Sequence, residues 1–329
     1  MLTRKMISVV PVAYRDEGNI EELYKRVTRE LKKITLNYEI VYVNDRSPDK
    51  SQSILEKLAK KDKKLTVILH SRNFGAQNAF TTGMKQAIGE AVVIMDGDLQ
   101  DPPELIKVFV EKWLKGNDVV YGVRRKREKS MGFLMEQIYH LFYVIFNKLS
   151  YIKVPQDAGE FSLMDRKVVD HINSLPEKDR FMRGLRAWVG FKQIGVSYKR
   201  PERFSGASVS TTSMFKGLWW ARRAIFSFSY APLEWVFYAA ILSVFVTLLA
   251  AVVYLLAYFI YPGAPRGFMT LLITVLFIGS VQLVVLSFIS EYLRRIFEEV
   301  KSRPISITEK IINDHRKSAR NPRRVPEGS

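Results

Sequence analysis

Two long apolar stretches near the C-terminus constrain this chain more than any other feature of its sequence. Residues 235–261 and 267–290 are 27 and 24 residues long and contain no Asp, Glu, Lys or Arg. At a helical rise of about 1.5 Å per residue, each exceeds the roughly 30 Å hydrocarbon core of a bilayer. Buried helices of soluble proteins rarely run this far without a charge. The pattern therefore predicts two membrane-spanning helices.

The distribution of positive charge sets the expected orientation of this helical pair. Residues 262–266 leave room only for a turn, so both outer ends must lie on the same side of the membrane. The turn contains one basic residue, Arg266, whereas the outer flanks contain several: Lys216, Arg222, Arg223, Arg294, Arg295, Lys301 and Arg303. Because cytoplasmic flanks carry the excess of Lys and Arg, we expect a multi-pass protein of the plasma (inner) membrane with a cytoplasmic N-terminal region.

A formal net charge of +18 indicates three classes of partner: nucleic acid, an anionic membrane surface or a phosphorylated substrate. The apolar stretches favour lipid, and no nucleic-acid partner is expected. Residues 131–154 and 211–231 combine apolar and aromatic residues at helical spacing with basic ones, which predicts amphipathic helices at the membrane interface. An ordinary core helix is the alternative for residues 131–154. Exposed helices of this kind also favour a homo-oligomer.

Strand and helix patterns alternate along the N-terminal region. Apolar runs of strand length occur at residues 7–12, 39–44, 65–70 and 91–95, and helical periodicity occurs at residues 20–34, 51–61 and 77–88. Alternation of this kind predicts a doubly wound, parallel α/β sheet.

The domain organisation follows from these patterns. We expect a cytoplasmic catalytic domain at residues 1–210, a juxtamembrane amphipathic helix at 211–231, two transmembrane helices within 232–293, and a basic cytoplasmic tail at 294–329. The tail from residue 301 onward is expected to be solvated, partly disordered and close to anionic headgroups.

Polar and charged residues follow the predicted strands. Ligands of parallel α/β sheets bind beyond the carboxyl ends of the strands, so the residues there form one candidate site: Pro11, Tyr14, Asp16, Asn44, Asp45, 72–75 and 96–101. Asp96 and Asp98 flank one glycine, and Gln100 lies nearby. Oxygen ligands of this kind suit Mg²⁺ or Mn²⁺. Two such aspartates also occur by chance in turns, and residues 72–75 can be a simple turn.

Five ordered motifs carry a family resemblance: VVPV at residues 9–12, VNDRS at 43–47, RNFG at 72–75, IMDGDLQDPP at 94–103 and DAGEFSLMDR at 157–166. They resemble the polyprenyl-phosphate glycosyltransferases. These are inverting, GT-A-type enzymes related to dolichyl-phosphate mannose synthase and to the bacterial bactoprenol glucosyltransferases. The resemblance covers residues 6–210 and implies a GT-A-type, Rossmann-like catalytic domain. The paired C-terminal stretches match the bacterial branch.

Carried over by position, the resemblance implies roles for individual residues. Four residues would hold the nucleotide base and ribose: Pro11, Tyr14, Asp16 and Asp45. Three would meet the metal ion and the diphosphate of the nucleotide sugar: Asp96, Asp98 and Gln100. Three would face the lipid phosphate: Arg124, Arg200 and Arg203. Asp98 and Asp157 are the implied catalytic residues, and Asp157 could orient a group of the substrate, stabilise the transition state or act as a base.

The implied reaction transfers a hexose from a nucleotide diphosphate sugar to polyprenyl (undecaprenyl) phosphate. The two-span architecture favours glucose and UDP, and transfer of mannose from GDP-mannose is the alternative. Compared with the family pattern, Ala13 is inserted, Arg15 replaces an Asn, and Asn44 and Arg46 replace an Asp and a Gly. These departures leave the nucleotide preference open. A non-catalytic membrane scaffold or lipid-binding subunit is the alternative from another class. A separate flippase and a downstream glycosyltransferase complete the expected partners.

Overall fold

The structure is a computed structural model that describes residues 1–124, 150, 152–153, 155, 158–205, 229, 231–260 and 267–316. These residues form two compact units. One contains the N-terminal region together with the residues from Pro304 onward, and the other contains the two long C-terminal helices. The predicted interfacial helices at 131–154 and 211–231, and the predicted domain boundary at 210, lie almost entirely outside the described residues.

The first unit contains the strands β1 Ile7–Ala13, β2 Tyr38–Asn44, β3 Leu65–His70, β4 Ala91–Asp96, β5 Val119–Arg124, β6 Ala158–Asp165, β7 Gln193–Tyr198 and β8 Thr308–Ile312. They form one eight-stranded sheet in the order β7-β5-β6-β4-β1-β2-β3-β8.

Helices cover both faces of this sheet: α1 Ile20–Ile34, α2 Ser51–Lys61, α3 Ala76–Gln86, α4 Leu105–Leu114, α5 Arg166–Ser174 and α6 Met182–Trp188. Helix α1 contacts α2 and α4, whereas α3 contacts α5. Strands β1, β2 and β3 are consequently buried at every position. Burial on both faces explains why these strands read as nearly continuous apolar runs.

Helix α1 shows why periodicity located the helices well. Ile20, Leu23, Val27, Leu31 and Ile34 recur at a spacing of three or four residues, and all are fully buried. Two glutamates lie in the first turn and two lysines in the last turn, where they interact favourably with the helix dipole. The apolar face therefore fixes the packing of the helix, and the charges support its ends.

The predicted α/β sheet is confirmed, but it is mixed rather than purely parallel. Strand β1 pairs in parallel with β2 and β4, and β2 with β3. Strand β6, however, is antiparallel to both β4 and β5. Alternating strands and helices fix the direction of the first four strands only. No strand beyond β4 was predicted from the sequence, so the direction of β6 could not be derived.

The expectation of a solvated, partly disordered tail is wrong as to order for residues Thr308–Ile312, although three of the five are exposed to solvent. They form β8, which pairs antiparallel with β3. Without β8, the edge of β3 would expose unpaired backbone N–H and C=O groups, and the added strand satisfies them. The basic composition of the tail hid a short run of strand-forming residues.

The second unit consists of α7 Ala231–Ile260 and α8 Phe268–Val300. Both are long enough and apolar enough to cross a membrane: an 18-residue window has a mean hydropathy of 2.0 at Leu233–Ala250, and one of 2.5 lies within Thr270–Val300. Their large apolar side chains are exposed, including Phe237 and Leu283 at 62% and 70% of the maximum. Apolar surface this extensive needs a nonpolar environment.

Candidate active site

The carboxyl ends of β4, β1 and β2 lie side by side in the sheet. Val12 of β1 is paired with Asp96 on one side, and Ala13 is paired with Asn44 on the other. The loops that follow these three strands therefore meet at one edge, as the sequence predicted.

The loop after β4 packs tightly against the end of β1 at Gly97. A Cβ atom added to Gly97 would lie 2.5 Å from the carbonyl oxygen of Val12 and 3.4 Å from Oδ2 of Asp16. Burial raises the pKa of Asp16, and the negative charge of Asp98 adds to the rise. Glycine between the two aspartates thus lets the loop after β4 approach β1 and the Asp16 carboxylate.

Two arginines oppose the negative charge of residues 96–101, the loop after β4, which we call the acidic loop. Asp96 keeps partial solvent access at the end of β4, yet burial, together with the charges of Asp101 and Asp98, raises its pKa to about 8. Burial also raises the pKa of Asp101. Arg124 and Arg200 oppose both shifts. A divalent cation placed here would offset the repulsion between the carboxylates and keep them ionised.

Both arginines retain unused hydrogen-bonding capacity. The Nε atoms of Arg124 and Arg200 are buried and have no partner among the described residues. Arg200 lies 3.8 Å from Oδ2 of Asp98. The guanidinium of Arg124 lies against Gly159, where an added Cβ would come within 3.1 Å of it. A guanidinium with free donors at the edge of an acidic cluster is suited to binding phosphate oxygens.

Tyr198 is a site residue that the sequence analysis missed. Its hydroxyl donates a hydrogen bond of 2.6 Å to Oδ1 of the fully buried Asp101. Its ring packs edge-on against Phe161, and the absence of a side chain at Gly122 makes room for it. The available signal was its position at the end of a strand directly before the basic loop that contains Arg200.

The side chain of Arg203 is paired with the carboxylate of Asp16. Its guanidinium donates to Oδ1 of Asp16 and, through Nε, to the carbonyl oxygen of Ser205 at 2.9 Å. Asp16 also accepts hydrogen bonds from the Tyr14 backbone and the Asn19 side chain, each at 3.1 Å. The 203–205 segment is thereby held against the loop after β1. Pro11 is buried within β1 below this loop.

Asp45 is bound on all sides by protein. It is 1% exposed. Its Oδ1 accepts hydrogen bonds from Nδ1 of His70 and from the backbone N–H of Phe74, and its Oδ2 accepts one from Gly75, all at 2.8 Å. The Asp45 carboxylate therefore shapes the wall of the site by holding the loop between β3 and α3.

The oxygen ligands at this site suit a metal ion that is only partly coordinated by protein. In the part of the chain that the structure describes, no group of three Asp, Glu, His or Cys side chains converges as a complete metal site. Asp96 and Asp98 offer two carboxylates, while the Gln100 amide nitrogen faces the carbonyl of Pro201 at 3.4 Å. Mg²⁺ commonly takes one or two carboxylates and completes its shell with water and phosphate. Asp157 lies outside the described residues.

Comparison with known proteins places this geometry in context. Residues 8–172 match the family described as Glycosyl transferase family 2. An uncharacterized glycosyltransferase of Synechocystis sp. is 40% identical, over 91% of this chain and 93% of the relative. The SfII prophage-derived bactoprenol glucosyl transferase of Shigella flexneri is 37% identical, over 93% and 98%. A mannosyltransferase of Pyrobaculum calidifontis, solved with GDP-Man and Mn²⁺, superposes with a TM-score of 0.42 at 20% identity, covering 61% of this chain and 59% of that chain.

Proposed function

The chain belongs to glycosyltransferase family 2, and we propose that it transfers glucose from UDP-glucose to a polyprenyl phosphate, with inversion at the anomeric carbon. The observation that carries this proposal is the likeness to the Shigella flexneri bactoprenol glucosyl transferase, which extends over 93% of this chain and 98% of that protein. Since it covers nearly the full length of both, it includes the acidic loop and the two apolar helices together.

The acidic loop supports metal-assisted binding of the diphosphate. We propose that Asp96, Asp98 and Gln100 hold Mg²⁺ or Mn²⁺, which would neutralise charge on the departing nucleotide. The paired carboxylates of Asp96 and Asp98, and the raised pKa of Asp96, fit a bound cation. Arg124 and Arg200, with their unpartnered Nε atoms, are then available for phosphate oxygens of the donor or the lipid.

The loops after β1 and β2 are proposed to hold the nucleoside. Pro11, Tyr14 and Asp16 form one side of this subsite, and Asp45 supports the other through the backbone of residues 74–75. Since Arg203 is engaged by Asp16, we assign it to closing the 203–205 segment over this subsite. Its expected contact with the lipid phosphate is therefore less favoured than the contacts of Arg124 and Arg200.

The acceptor chemistry makes a strong base unnecessary. A phosphate monoester has a second pKa near 6 and is largely dianionic at neutral pH, so its oxygen can attack the anomeric carbon without losing a proton first. Orienting the substrate or stabilising positive charge in the transition state would then suffice for Asp157. A sugar hydroxyl as acceptor would instead require a base.

The two apolar helices support a location in the plasma (inner) membrane, with the catalytic unit in the cytoplasm where nucleotide sugars are available. A lipid-linked sugar made on that side needs a flippase and a glycosyltransferase that consumes it. The exposed apolar surface of α7 and α8 is also compatible with self-association.

Sugar transfer by the purified protein tests the proposal. The detergent-solubilised chain is given undecaprenyl phosphate, Mg²⁺ or Mn²⁺, and radiolabelled UDP-glucose, GDP-mannose or another donor in parallel reactions. We expect a lipid-extractable, EDTA-sensitive product from UDP-glucose. Product from GDP-mannose alone would establish the alternative donor. Folded protein that neither transfers sugar nor binds any nucleotide with metal would favour the scaffold interpretation.

A further inference from the structure

The chain that follows α8 returns to the sheet and reaches the carboxyl end of β3. Strand β8 pairs with β3 along its length, with a register shift between Leu69 and His70. Beyond this shift, the backbone N–H of Ser71 donates to the carbonyl oxygen of Ile307 at 3.0 Å. Residues 306–309, which we call the return segment, therefore lie beside the loops that follow β2 and β3.

A chain of polar contacts, buried at Asp45 and His70 and partly exposed at Thr82 and Ser306, joins the return segment to Asp45. The Nδ1–H of His70, which is fully buried, donates to the Asp45 carboxylate at 2.8 Å, since a carboxylate can only accept. The Nε2 of His70 lies 3.0 Å from the Thr82 hydroxyl. That hydroxyl lies 2.7 Å from the hydroxyl of Ser306. Ser306 is thus linked to the residue that holds the 74–75 backbone.

A second contact reaches the residue next to Asp45. Arg46 adopts a φ of 54°, a left-handed conformation that costs energy for a residue with a side chain. Its guanidinium forms an ion pair with Glu309 of the return segment. Ser306 and Glu309 therefore act on two consecutive residues of the same loop.

The return segment does not need these contacts to stay paired with β3. The side chain of Asn313 donates to the carbonyl oxygens of Ala59 and Leu65 at 2.7 and 3.0 Å. Lys310 forms an ion pair of 3.2 Å with Glu56 on α2. These contacts hold β8 in place at positions that lie away from the candidate site. The contacts of Ser306 and Glu309 reach the site loops instead.

We infer that Ser306 and Glu309 are positioning residues for the nucleoside subsite, which they act on through Thr82, His70 and Arg46. The inference rests on the proposed function, because it assumes that the loops after β2 and β3 hold a nucleoside diphosphate. On this view, the segment that follows the second membrane helix tunes donor affinity without touching the donor.

Five variants test the inference: Ser306→Ala, Ser306→Thr, Thr82→Val, the double variant Ser306→Ala/Thr82→Val, and Glu309→Gln. Lys310→Ala is the matched control, since it also removes a polar contact of β8 but not one that reaches the site. Binding of UDP and of GDP is measured by calorimetry on the full chain in detergent. The KM values for donor sugar and for undecaprenyl phosphate are measured alongside, and thermal unfolding confirms that each variant is folded.

We expect Ser306→Ala and Glu309→Gln to weaken nucleotide binding and raise the donor KM by about two- to tenfold, the effect of losing one hydrogen bond or exposed ion pair. The acceptor KM and kcat should stay at wild-type values. The double variant should bind no more weakly than Thr82→Val alone, since both changes break one relay. Ser306→Thr, which keeps the hydroxyl, should bind like wild type.

Wild-type nucleotide affinity in folded Ser306→Ala and Glu309→Gln would overturn the inference, as would an equal loss in Lys310→Ala. Absence of both UDP and GDP binding in the wild-type protein would overturn it too. A wild-type protein that binds nucleotide but transfers no sugar would refute the proposed function, while the binding measurements would still decide the inference.

Discussion

Replacing Gly97 by alanine should separate the chemistry of the acidic loop from its folding. The added Cβ would lie 2.5 Å from the carbonyl oxygen of Val12, whereas real Cβ contacts are essentially never shorter than 3.0 Å. The obstacle is backbone of the central strand β1 and not the end of a flexible side chain. The loop that contains Asp96 and Asp98 must therefore move away from β1 by at least about 0.5 Å, the gap between these two distances.

The size of the effect follows from this displacement. Overpacking of this kind costs about 1–3 kcal/mol of folding free energy. In catalysis, misplacing a group by about 1 Å can cost on the order of a hundredfold in rate. A shift of half that size or more should lower kcat by about ten- to a hundredfold. It should also weaken the apparent affinity for Mg²⁺ or Mn²⁺, because both carboxylates move together.

Gly89→Ala provides the control, because it creates the same crowding at the opposite end of β4. Its Cβ would lie 2.5 Å from Oγ and 2.7 Å from the backbone nitrogen of Ser8. Both variants should melt at lower temperature, but only Gly97→Ala should lose turnover per folded molecule. The assay is the initial rate of sugar transfer across a metal titration, normalised to folded protein. Wild-type turnover in Gly97→Ala, or an equal loss in Gly89→Ala, would refute the reasoning.

Three further changes address other parts of the molecule. Asp98→Ala should lower sugar transfer by at least about a thousandfold, since removal of a metal ligand costs several kcal/mol of transition-state stabilisation, while the protein still fractionates with membranes. Tyr198→Phe should lower the free energy of unfolding by about 1.5–3 kcal/mol in a denaturant titration, because the buried carboxylate of Asp101 loses a hydrogen bond. The hydrogen bond to Glu39 raises the pKa of His315 in the folded protein. The contribution of protonated His315 to folding stability is therefore complete below its unfolded-state pKa of about 6.5 and is lost as the pH rises through its folded-state pKa. His315→Ala should therefore lower the melting temperature more at pH 6 than at pH 9.

Each of these three expectations has a result that contradicts it. Substantial transfer by membrane-inserted Asp98→Ala would remove Asp98 from the metal site. Unchanged unfolding of Tyr198→Phe would mean that water replaces the lost hydroxyl. An equal melting difference at both pH values would show that the contact between His315 and Glu39, 3.4 Å in length, does not depend on the charge of the imidazole.

The sequence predicted the strands and helices around the site because these elements depend on local patterns. Apolar periodicity placed the first helix at residues 20–34, and the structure has it at Ile20–Ile34. The apolar run at 91–95 is strand β4, Ala91–Asp96. Once the strands are parallel neighbours, their carboxyl ends must meet, so the position of the acidic loop beside Asp16 followed without any knowledge of long-range contacts.

What the sequence could not provide is the partner of each charged side chain. An aspartate is equally suited to bind a metal ion, a ribose hydroxyl or a backbone N–H, and burial decides among them. Asp45 was predicted to hold the nucleotide, yet its carboxylate accepts three hydrogen bonds from within the protein. Arg203 was predicted to face a lipid phosphate, yet it pairs with a residue 187 positions earlier in the chain.

Strand β8 shows that long-range pairing of whole strands, like that of single side chains, could not be predicted from the sequence. Its five residues pair with a strand more than 200 positions earlier in the chain, across the two apolar helices. Composition describes the average of the tail, whereas pairing depends on the unsatisfied edge that β3 would otherwise present. Because the catalytic sheet is completed only after the chain has passed through α7 and α8, the apolar helices lie inside the sequence of the catalytic unit. An anchor appended to a finished domain could be removed without changing the sheet. Here, removing everything after α7 would also remove β8, and with it the contacts that reach Arg46 and Thr82.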